Sequence, residues 1–160
     1  MVEMSNRLVS VIIVTSGIGD YVWPCLDSIN KQAYSPLEII VIDNSLNPNF
    51  SRQINARYPA IKLYSSPRNL FYCEALNKGI SLSNGEFILC LNDDAILDKR
   101  FMEEALKGFT FDERIGMVSG KILRSDGKII DSTGVFLSIW RTAKERGYSL
   151  KDIGQFEKEE

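Results

Sequence analysis

The chain has 160 residues, of which 44% are hydrophobic and 25% are charged. This length and composition predict one compact domain with a hydrophobic core. A net charge of −2 argues against nucleic acid as a partner, because a surface that follows a phosphate backbone needs an excess of lysine and arginine. The absence of histidine excludes serine–histidine and cysteine–histidine catalysis and the usual zinc sites. Any chemistry therefore depends on carboxylates, amides, hydroxyls and a bound cation.

The first half of the chain alternates between strand and helix patterns. Residues 8–15 are nearly all apolar and rich in β-branched side chains, as in a strand that is buried on both faces. A helix is predicted next, with Asp20 as its N-cap, because apolar residues then recur at helical spacing. The other elements predicted in this half are a strand at 37–42, a helix at 47–57 and a strand at 61–64. This order predicts a parallel sheet with helical connections.

The second half continues the alternation and then departs from it. The next helix is predicted to bury an apolar face made of Cys73, Leu76 and Ile80, and a strand buried on both faces is predicted at 86–91. The elements predicted after it are a helix capped by Asp98, a strand at 115–119 and a hairpin around Asp126-Gly127. From Trp140 onward the pattern fades, and we expect a loose tail.

Three cysteines, Cys25, Cys73 and Cys90, lie far apart, each within an apolar pattern. This spacing predicts buried free thiols rather than a disulfide framework or a metal cluster. The longest apolar run near the start, at residues 8–14, is too short for a membrane span and lacks the flanks of a signal peptide. We therefore expect a cytoplasmic protein.

Polar residues follow several of the predicted strands. Thr15 ends the first strand, Asp43 follows the second, and Asp93 and Asp94 follow the strand at 86–91. Because the carboxyl ends of parallel strands lie at one edge of the sheet, where open α/β folds bind ligands, these side chains are expected to converge. A divalent cation would relieve the repulsion between adjacent carboxylates and keep coordination sites for a diphosphate. The alternatives are a solvated Asn-Asp-Asp turn and an Asx turn at Asp43.

Four segments carry a resemblance to a known family. They are residues 9–15, 37–45, 69–80 and 85–94, with sequences VSVIIVT, LEIIVIDNS, NLFYCEALNKGI and GEFILCLNDD. In this order they resemble the nucleotide-sugar-binding half of family 2 glycosyltransferases, closest to the rhamnosyltransferase-like members, and the resemblance covers residues 8–156. It implies the GT-A fold, an α/β architecture with a Rossmann-like, doubly wound, mostly parallel sheet and helices on both faces.

The resemblance also implies roles for particular residues. Asp43 would contact the base of the nucleotide, with Thr15 beside it, and Asp93 would face the ribose. Asp94 would hold the Mn²⁺ or Mg²⁺ that bridges the diphosphate. The loop and helix that flank the nucleotide in the family match Arg68, Asn69 and Asn77.

The implied reaction is the transfer of a sugar, hexosyl or rhamnosyl, from a UDP-sugar or dTDP-sugar to a glycan or a lipid-linked acceptor, with inversion, in cell-surface polysaccharide biosynthesis. The catalytic base of the family lies downstream of the segment that resembles residues 146–156, and nothing in this sequence matches it. We therefore expect residues 1–138 to form the nucleotide-sugar-binding core. Residues 139–160 would form a tail that leads toward an acceptor-binding and catalytic-base segment outside this sequence.

Two departures from the family keep other interpretations open. Ser16-Gly17 replaces the usual Tyr-Asn pair, and Leu70-Phe71 replaces Gly-Phe after Asn69. The main alternative is a non-catalytic nucleotide-binding or interaction module of the same fold. A nucleotidyltransferase is less well supported, because residues 16–19 are a poor phosphate-binding loop. Peripheral association with the inner face of a membrane and self-association are also left open.

Overall fold

The computed structural model describes residues 6–157. The chain divides into two compact units, Met1–Glu104 and Ala105–Glu160, which we term the sheet unit and the hairpin unit. Within residues 6–157, no helix has both the length and the apolar character that crossing a membrane requires.

The sheet unit is built on four parallel strands. They are β1 (Val9–Thr15), β2 (Leu37–Asp43), β3 (Lys62–Ser65) and β4 (Phe87–Asn92), in the spatial order β3-β2-β1-β4. β1 is central, and its Val11, Ile12 and Ile13 have no exposed surface. The sequence prediction of an α/β fold with a mostly parallel sheet is confirmed.

Helices α1 (Val22–Asn30), α2 (Pro48–Arg57) and α3 (Phe71–Leu82) alternate with these strands along the chain. Ala75 of α3 packs in one cluster with Ile40 and Ile42 of β2. The next residue, Asp43, points to the opposite face, where it accepts a hydrogen bond from Ser51 of α2. α1 packs against α2 through aromatic rings. Helices therefore cover both faces of the sheet, as predicted.

The starts of two helices differ in how they are capped. Tyr21 is the N-cap of α1 and its side chain makes no capping hydrogen bond, so the prediction that Asp20 caps this helix is wrong. Asn47 caps α2, because its side chain accepts a hydrogen bond of 3.0 Å from the amide of Asn49.

The buried side of α3 is decided by how closely the helix approaches the sheet. The predicted apolar face is wrong at Cys73 and Ile80, which are exposed. Ala75 and Gly79 face the sheet instead. A Cβ on Gly79 would lie 2.3 Å from Cγ2 of Ile12, so nothing larger than glycine fits between helix and strand at this point.

β4 lies at an edge of the four-stranded sheet. Its side chains alternate in exposure, and Ile88 and Cys90 are exposed, so the prediction of a strand buried on both faces is wrong. An apolar run indicates a strand but does not show whether a helix covers both of its faces. Among the three cysteines, Cys25 is buried as predicted, whereas Cys73 and Cys90 are not.

The boundary between the two units falls within α4 (Phe101–Gly108). Asp98 accepts a hydrogen bond of 2.8 Å from the amide of Arg100 just before this helix, which agrees with its predicted capping role. The strand predicted at 115–119 does not form, and Met117 within it is 86% exposed. Alternating apolar residues make a strand only where a neighbouring strand accepts their backbone hydrogen bonds.

The hairpin unit contains two antiparallel pairs of short strands. β5 (Ile122–Leu123) pairs with β6 (Ile130–Ser132) around the predicted Asp126-Gly127 turn, where Gly127 has a φ of 65°. β7 (Val135–Leu137) pairs with β8 (Ala143–Glu145), and β8 lies within the segment expected to be a loose tail. Ile130 has no exposed surface and anchors the unit.

Candidate functional site

The carboxyl ends of the four strands bring polar side chains to one edge of the sheet. In the strand register, Thr15 lies opposite Asp43, and Asp43 lies opposite Ser65. Asn92 lies opposite Val14, so Asp93 follows β4 beside the end of β1. This edge, which we call the carboxyl edge, is the place where open α/β sheets bind ligands.

Asp43 is buried and already has hydrogen-bond donors. The residue is 2% exposed, and its two carboxylate oxygens accept hydrogen bonds from the amide of Ser45 at 2.8 Å and from the hydroxyl of Ser51 at 2.5 Å. The Ser65 hydroxyl extends this series of hydrogen bonds by donating to the Ser51 hydroxyl at 2.9 Å. The bond to Ser45 is the Asx turn considered as an alternative for Asp43. Each carboxylate oxygen still has a second lone pair that a ligand can use.

Thr15 and Asn44 shape the loops on either side of Asp43. Thr15 Oγ1 accepts a hydrogen bond of 3.1 Å from the amide of Gly17, and its carbonyl accepts one of 2.8 Å from the amide of Asn44. The Asn44 side chain is buried and accepts a hydrogen bond of 3.3 Å from the amide of Leu70. Sequence reasoning missed Asn44 and Ser51, although the first lies next to Asp43 and both side chains can hydrogen-bond.

The two carboxylates after β4 differ from Asp43. Asp93 is half-buried and Asp94 is exposed, and neither side chain forms a hydrogen bond or ion pair with another residue in the described range 6–157. The thiol of Cys25 lies behind them and donates to the carbonyl of Asn92 at 3.5 Å. Burial, followed by the charges of Asp93 and Asp94, raises the pKa of Cys25 to about 12. Cys25 is therefore a neutral thiol near pH 7.

Arg68 and Asn69 occupy the loop that follows β3. Arg68 is exposed and forms an ion pair with Glu74. The side chain of Asn69 accepts a hydrogen bond of 2.7 Å from the amide of Phe71, whose φ is 53°. Asn69 thus supports a strained turn at the start of α3.

Asn77 is separated from the other predicted site residues by its position on α3. It is exposed and lies two residues after the buried Ala75, which places it on the side of the helix that faces away from the sheet. A contact between Asn77 and a ligand would require the ligand to extend over that side of the helix.

A cleft of about 270 Å³ opens beside the first two loops of the carboxyl edge. Its aromatic lining comes from Trp23 and Phe50, and its polar lining includes the amide side chains of Asn47, Asn49 and Gln53. A flat ring can pack on such aromatic side chains while the amides supply donors and acceptors. The two aromatic side chains come from α1 and α2 and meet only in the folded structure.

The chemistry of the Asp93-Asp94 pair fits a hard divalent cation. The described residues hold no group of three or more histidine, cysteine, aspartate or glutamate side chains that could enclose a metal. Mg²⁺ is commonly bound by only one or two carboxylates, with phosphate oxygens of the substrate completing its coordination. Two exposed or half-buried carboxylates therefore suit a metal that arrives with a diphosphate.

Comparison with known families gives a match over nearly the whole chain. Residues 10–151 match the family described as Glycosyl transferase family 2. Glycosyltransferase GlyA of Streptococcus pneumoniae serotype 4 is 22% identical over 89% of this chain and 23% of its own length. Chondroitin synthase of Pasteurella multocida is 28% identical over 77% of this chain and 13% of its own length. The chain thus spans less than a quarter of each of these relatives.

Solved structures share the fold. A mannosyltransferase from Pyrobaculum calidifontis, solved with GDP-Man and Mn²⁺, superposes with a TM-score of 0.59 and 24% identity over 66% of this chain and 33% of its own. TarS 1-349 from S. aureus, solved with UDP-GlcNAc, gives a TM-score of 0.58 and 18% identity over 67% and 32% of the two chains. At these identities the likeness concerns the fold, which is that of the GT-A glycosyltransferases.

Proposed function

This chain belongs to glycosyl transferase family 2, and we propose that its carboxyl edge binds a nucleoside-diphosphate sugar together with a divalent cation. The sugar would pass, with inversion at its anomeric carbon, to a glycan or a lipid-linked acceptor, and the product would be a surface polysaccharide. Residues 1–138 would form the donor-binding core of this enzyme, and residues 139–160 would lead toward the acceptor site.

One observation carries the proposal. The register that pairs Thr15 with Asp43 and continues β4 into Asp93 and Asp94 gathers three carboxylates at one edge of the sheet. One of them is buried and fixed by donors, whereas the other two keep their oxygens for a ligand. A nucleotide sugar needs both kinds of contact, because its base is recognised by fixed polar groups and its diphosphate needs a cation.

The nucleoside would enter beside β1 and β2. The cleft next to Gly17 offers the rings of Trp23 and Phe50 for stacking. Asp43, held by Ser45 and Ser51, would accept a hydrogen bond from the base through a remaining lone pair. Uridine and thymidine are the proposed nucleosides, and the two solved neighbours bind GDP-Man and UDP-GlcNAc.

The diphosphate would lie between the end of β4 and the loop after β3. Asp94 would hold Mn²⁺ or Mg²⁺ and Asp93 would accept hydrogen bonds from the ribose hydroxyls. When bound, the cation supplies Lewis-acid stabilisation of the charge that develops on the leaving diphosphate. Arg68 is exposed and would contribute a further positive charge, while Asn69 would hold the turn that presents it. Asn77 would contact a ligand portion that reaches over α3.

We assign no general base to this chain. Proton removal from an acceptor hydroxyl requires a carboxylate within hydrogen-bond reach of that hydroxyl. Asp93 and Asp94 have the donor and the cation as their proposed partners, and Asp43 has the nucleotide base. We therefore expect the isolated chain to bind the donor without transferring sugar efficiently.

Calorimetric titration of the purified chain with UDP, dTDP and GDP, each with and without Mn²⁺, tests the donor site. We expect binding that requires Mn²⁺ and that is tighter for UDP or dTDP than for GDP. If the affinity for the nucleotide is the same with and without Mn²⁺, the metal assignment is contradicted. Absence of binding by any of the three would favour a fold retained for protein interaction.

A further inference from the structure

The β7–β8 hairpin of the hairpin unit exposes an unusual run of apolar side chains. The fractional exposures are 60% for Val135, 62% for Phe136, 78% for Leu137, 90% for Ile139 and 82% for Trp140. Every residue of β7 and β8 is exposed, so both faces of the hairpin are uncovered. A continuous exposed apolar stretch is costly in water, and in soluble proteins it marks a surface that meets a partner or a membrane.

The tip of this hairpin is an ordered loop. The Ser138 hydroxyl accepts hydrogen bonds of 3.2 Å from the amides of Trp140 and Thr142, and lies 2.6 Å from the Thr142 hydroxyl. The Ser138 carbonyl also accepts a hydrogen bond of 2.9 Å from the amide of Arg141. These bonds fix the backbone that carries Ile139 and Trp140. The two most exposed apolar side chains of the hairpin are therefore presented by a preorganised loop.

Basic side chains surround this apolar tip. The hairpin, residues 135–146, contains Arg141, Lys144 and Arg146 against one acidic residue, Glu145, whereas the whole chain carries a net charge of −2. Arg141 and Lys144 are exposed and form no ion pair with a residue in the described part of the chain. Arg146 stands over the ring of Phe156 at 4.8 Å. The positive charge is thus concentrated where the apolar side chains are exposed.

We propose that the β7–β8 hairpin docks onto a phospholipid bilayer that carries anionic headgroups. Ile139 and Trp140 enter the interfacial region, where tryptophan is favoured because its ring is apolar and its N–H can meet polar groups. Arg141 and Lys144 lie at the level of the headgroups and attract them. In a symmetric pair of chains the basic side chains of one hairpin would face those of the other, and this repulsion favours an anionic lipid surface over a second copy. This docking does not depend on the proposed donor site, since it uses only residues of the hairpin unit.

Co-sedimentation of the full chain with lipid vesicles tests this inference. The probes are vesicles of phosphatidylcholine alone and of phosphatidylcholine with an equal part of phosphatidylglycerol. We expect binding only to the mixed vesicles, weakened by added salt, with a shift of the Trp140 emission to shorter wavelength. Trp23 packs against Phe50 at a ring distance of 5.7 Å, so its emission should not change. A Trp140→Phe variant should keep the binding and lose the shift.

Matched variants separate the apolar and the charged contributions. Ile139→Ser should weaken vesicle binding about tenfold, whereas Ile153→Ser, at a residue that is also exposed in this unit, should not change it. Arg141→Gln and Lys144→Gln should each weaken it about fivefold. Because all four side chains are exposed, thermal unfolding should be unaffected.

Three results would overturn the inference. The first is that the unaltered chain does not bind the mixed vesicles, and the second is that it binds both kinds of vesicle equally. The third is that the Ile139→Ser and Ile153→Ser variants bind the mixed vesicles equally well. Self-association that Ile139→Ser abolishes, in the absence of vesicle binding, would assign the hairpin to a second copy instead. Nucleotide titration of the same preparations tests the donor site separately, because the hairpin variants leave the sheet unit unaltered. Failure of vesicle binding can therefore be told apart from failure of the donor site.

Discussion

Two acidic regions lie at opposite ends of the same sheet and differ in how their oxygens are used. At the amino ends of the strands, Glu38 accepts hydrogen bonds of 2.6 Å from the Ser10 hydroxyl and of 2.8 Å from both the backbone amide and the side chain of Asn84. At the carboxyl ends, Asp94 is exposed and forms no hydrogen bond or ion pair with any of residues 6–157. Glu38 lies near the start of a strand and Asp94 follows the end of one. Only Glu38 is held by hydrogen bonds from other residues of the fold.

The difference separates structural carboxylates from carboxylates available to a ligand. Burial acts to raise the pKa of Glu38, but hydrogen bonds from Ser10 and Asn84 outweigh it, so that the pKa lies below the ordinary value of 4.5. This network joins β1, β2 and the turn before β4, and its partners are provided entirely by the chain. Asp43 is intermediate, since the chain supplies hydrogen-bond donors to it as it does to Glu38, but it lies at the carboxyl edge like Asp94.

The largest expected effect is on donor binding when Asp94 is neutralised. Asp94→Asn should weaken the Mn²⁺-dependent affinity for UDP or dTDP about a hundredfold, because it removes the proposed metal-ligating charge. The matched control is Glu38→Gln, the same change of charge at the other end of the sheet, which should leave the affinity unaltered. Isothermal titration of both variants makes the measurement. Equal losses in the two variants would remove the distinction between the two regions.

Asp43→Ala should lower the free energy of unfolding by about 2 kcal/mol, since the Ser45 amide and the Ser51 hydroxyl lose their acceptor in a buried site. Asp94→Ala should change this free energy by less than about 0.5 kcal/mol, because the side chain is exposed and makes no structural bond. Urea unfolding at neutral pH compares the two variants. A large destabilisation by Asp94→Ala would show that its carboxylate is structural.

Glu38 predicts a specific dependence of stability on pH. Because its pKa is depressed in the folded state, the carboxylate stabilises the fold above pH 4.5, and this contribution is lost as the pH falls from 4.5 through the lower folded-state pKa. Glu38→Gln should cost about 1 to 2 kcal/mol at neutral pH and should flatten the stability profile in the acidic range. Thermal unfolding across that range measures this loss of stability. If Glu38→Gln loses stability with falling pH as steeply as the unaltered chain does, the assignment to Glu38 is contradicted.

Arg68→Ala is expected to have the smallest effect. Its guanidinium is exposed and paired with Glu74, so its loss should change stability by less than about 0.5 kcal/mol. The proposed contact with the diphosphate predicts a loss of about fivefold in donor affinity. Arg114→Ala, which removes an exposed arginine paired with Asp112 in the hairpin unit, serves as the control. If both variants bind the donor equally well, Arg68 has no part in the site.

Strands and helices with strong periodic patterns were predictable because local spacing determines them. β1, β2 and α2 lie within one or two residues of their predicted limits. The side of α3 that is buried was not predictable, because it follows from a close approach that only glycine at position 79 allows. The edge position of β4 likewise depends on which strands pair, and the apolar run itself does not contain that information.

The hairpin unit shows the same limit more strongly. Asp126-Gly127 indicates its turn directly, since glycine readily adopts the φ of 65° found there. The strand predicted at 115–119 had the right residue types but found no partner, and β7 and β8 paired in a segment without an alternating pattern. Strand pairing is a nonlocal property, so short strands are poorly determined by their own residues.

By itself, the sequence determined the order of strands and helices, the family and the polar residues that end each strand. Local backbone preferences, apolar periodicity and motif order are all carried by residues that are near one another along the chain. The tertiary structure alone decided which carboxylates are satisfied by the fold and which remain available. That distinction depends on partners distant in sequence, as when Asn84 and Ser10 reach Glu38 and Ser51 reaches Asp43. Asp94 keeps its oxygens because no described residue is positioned to take them.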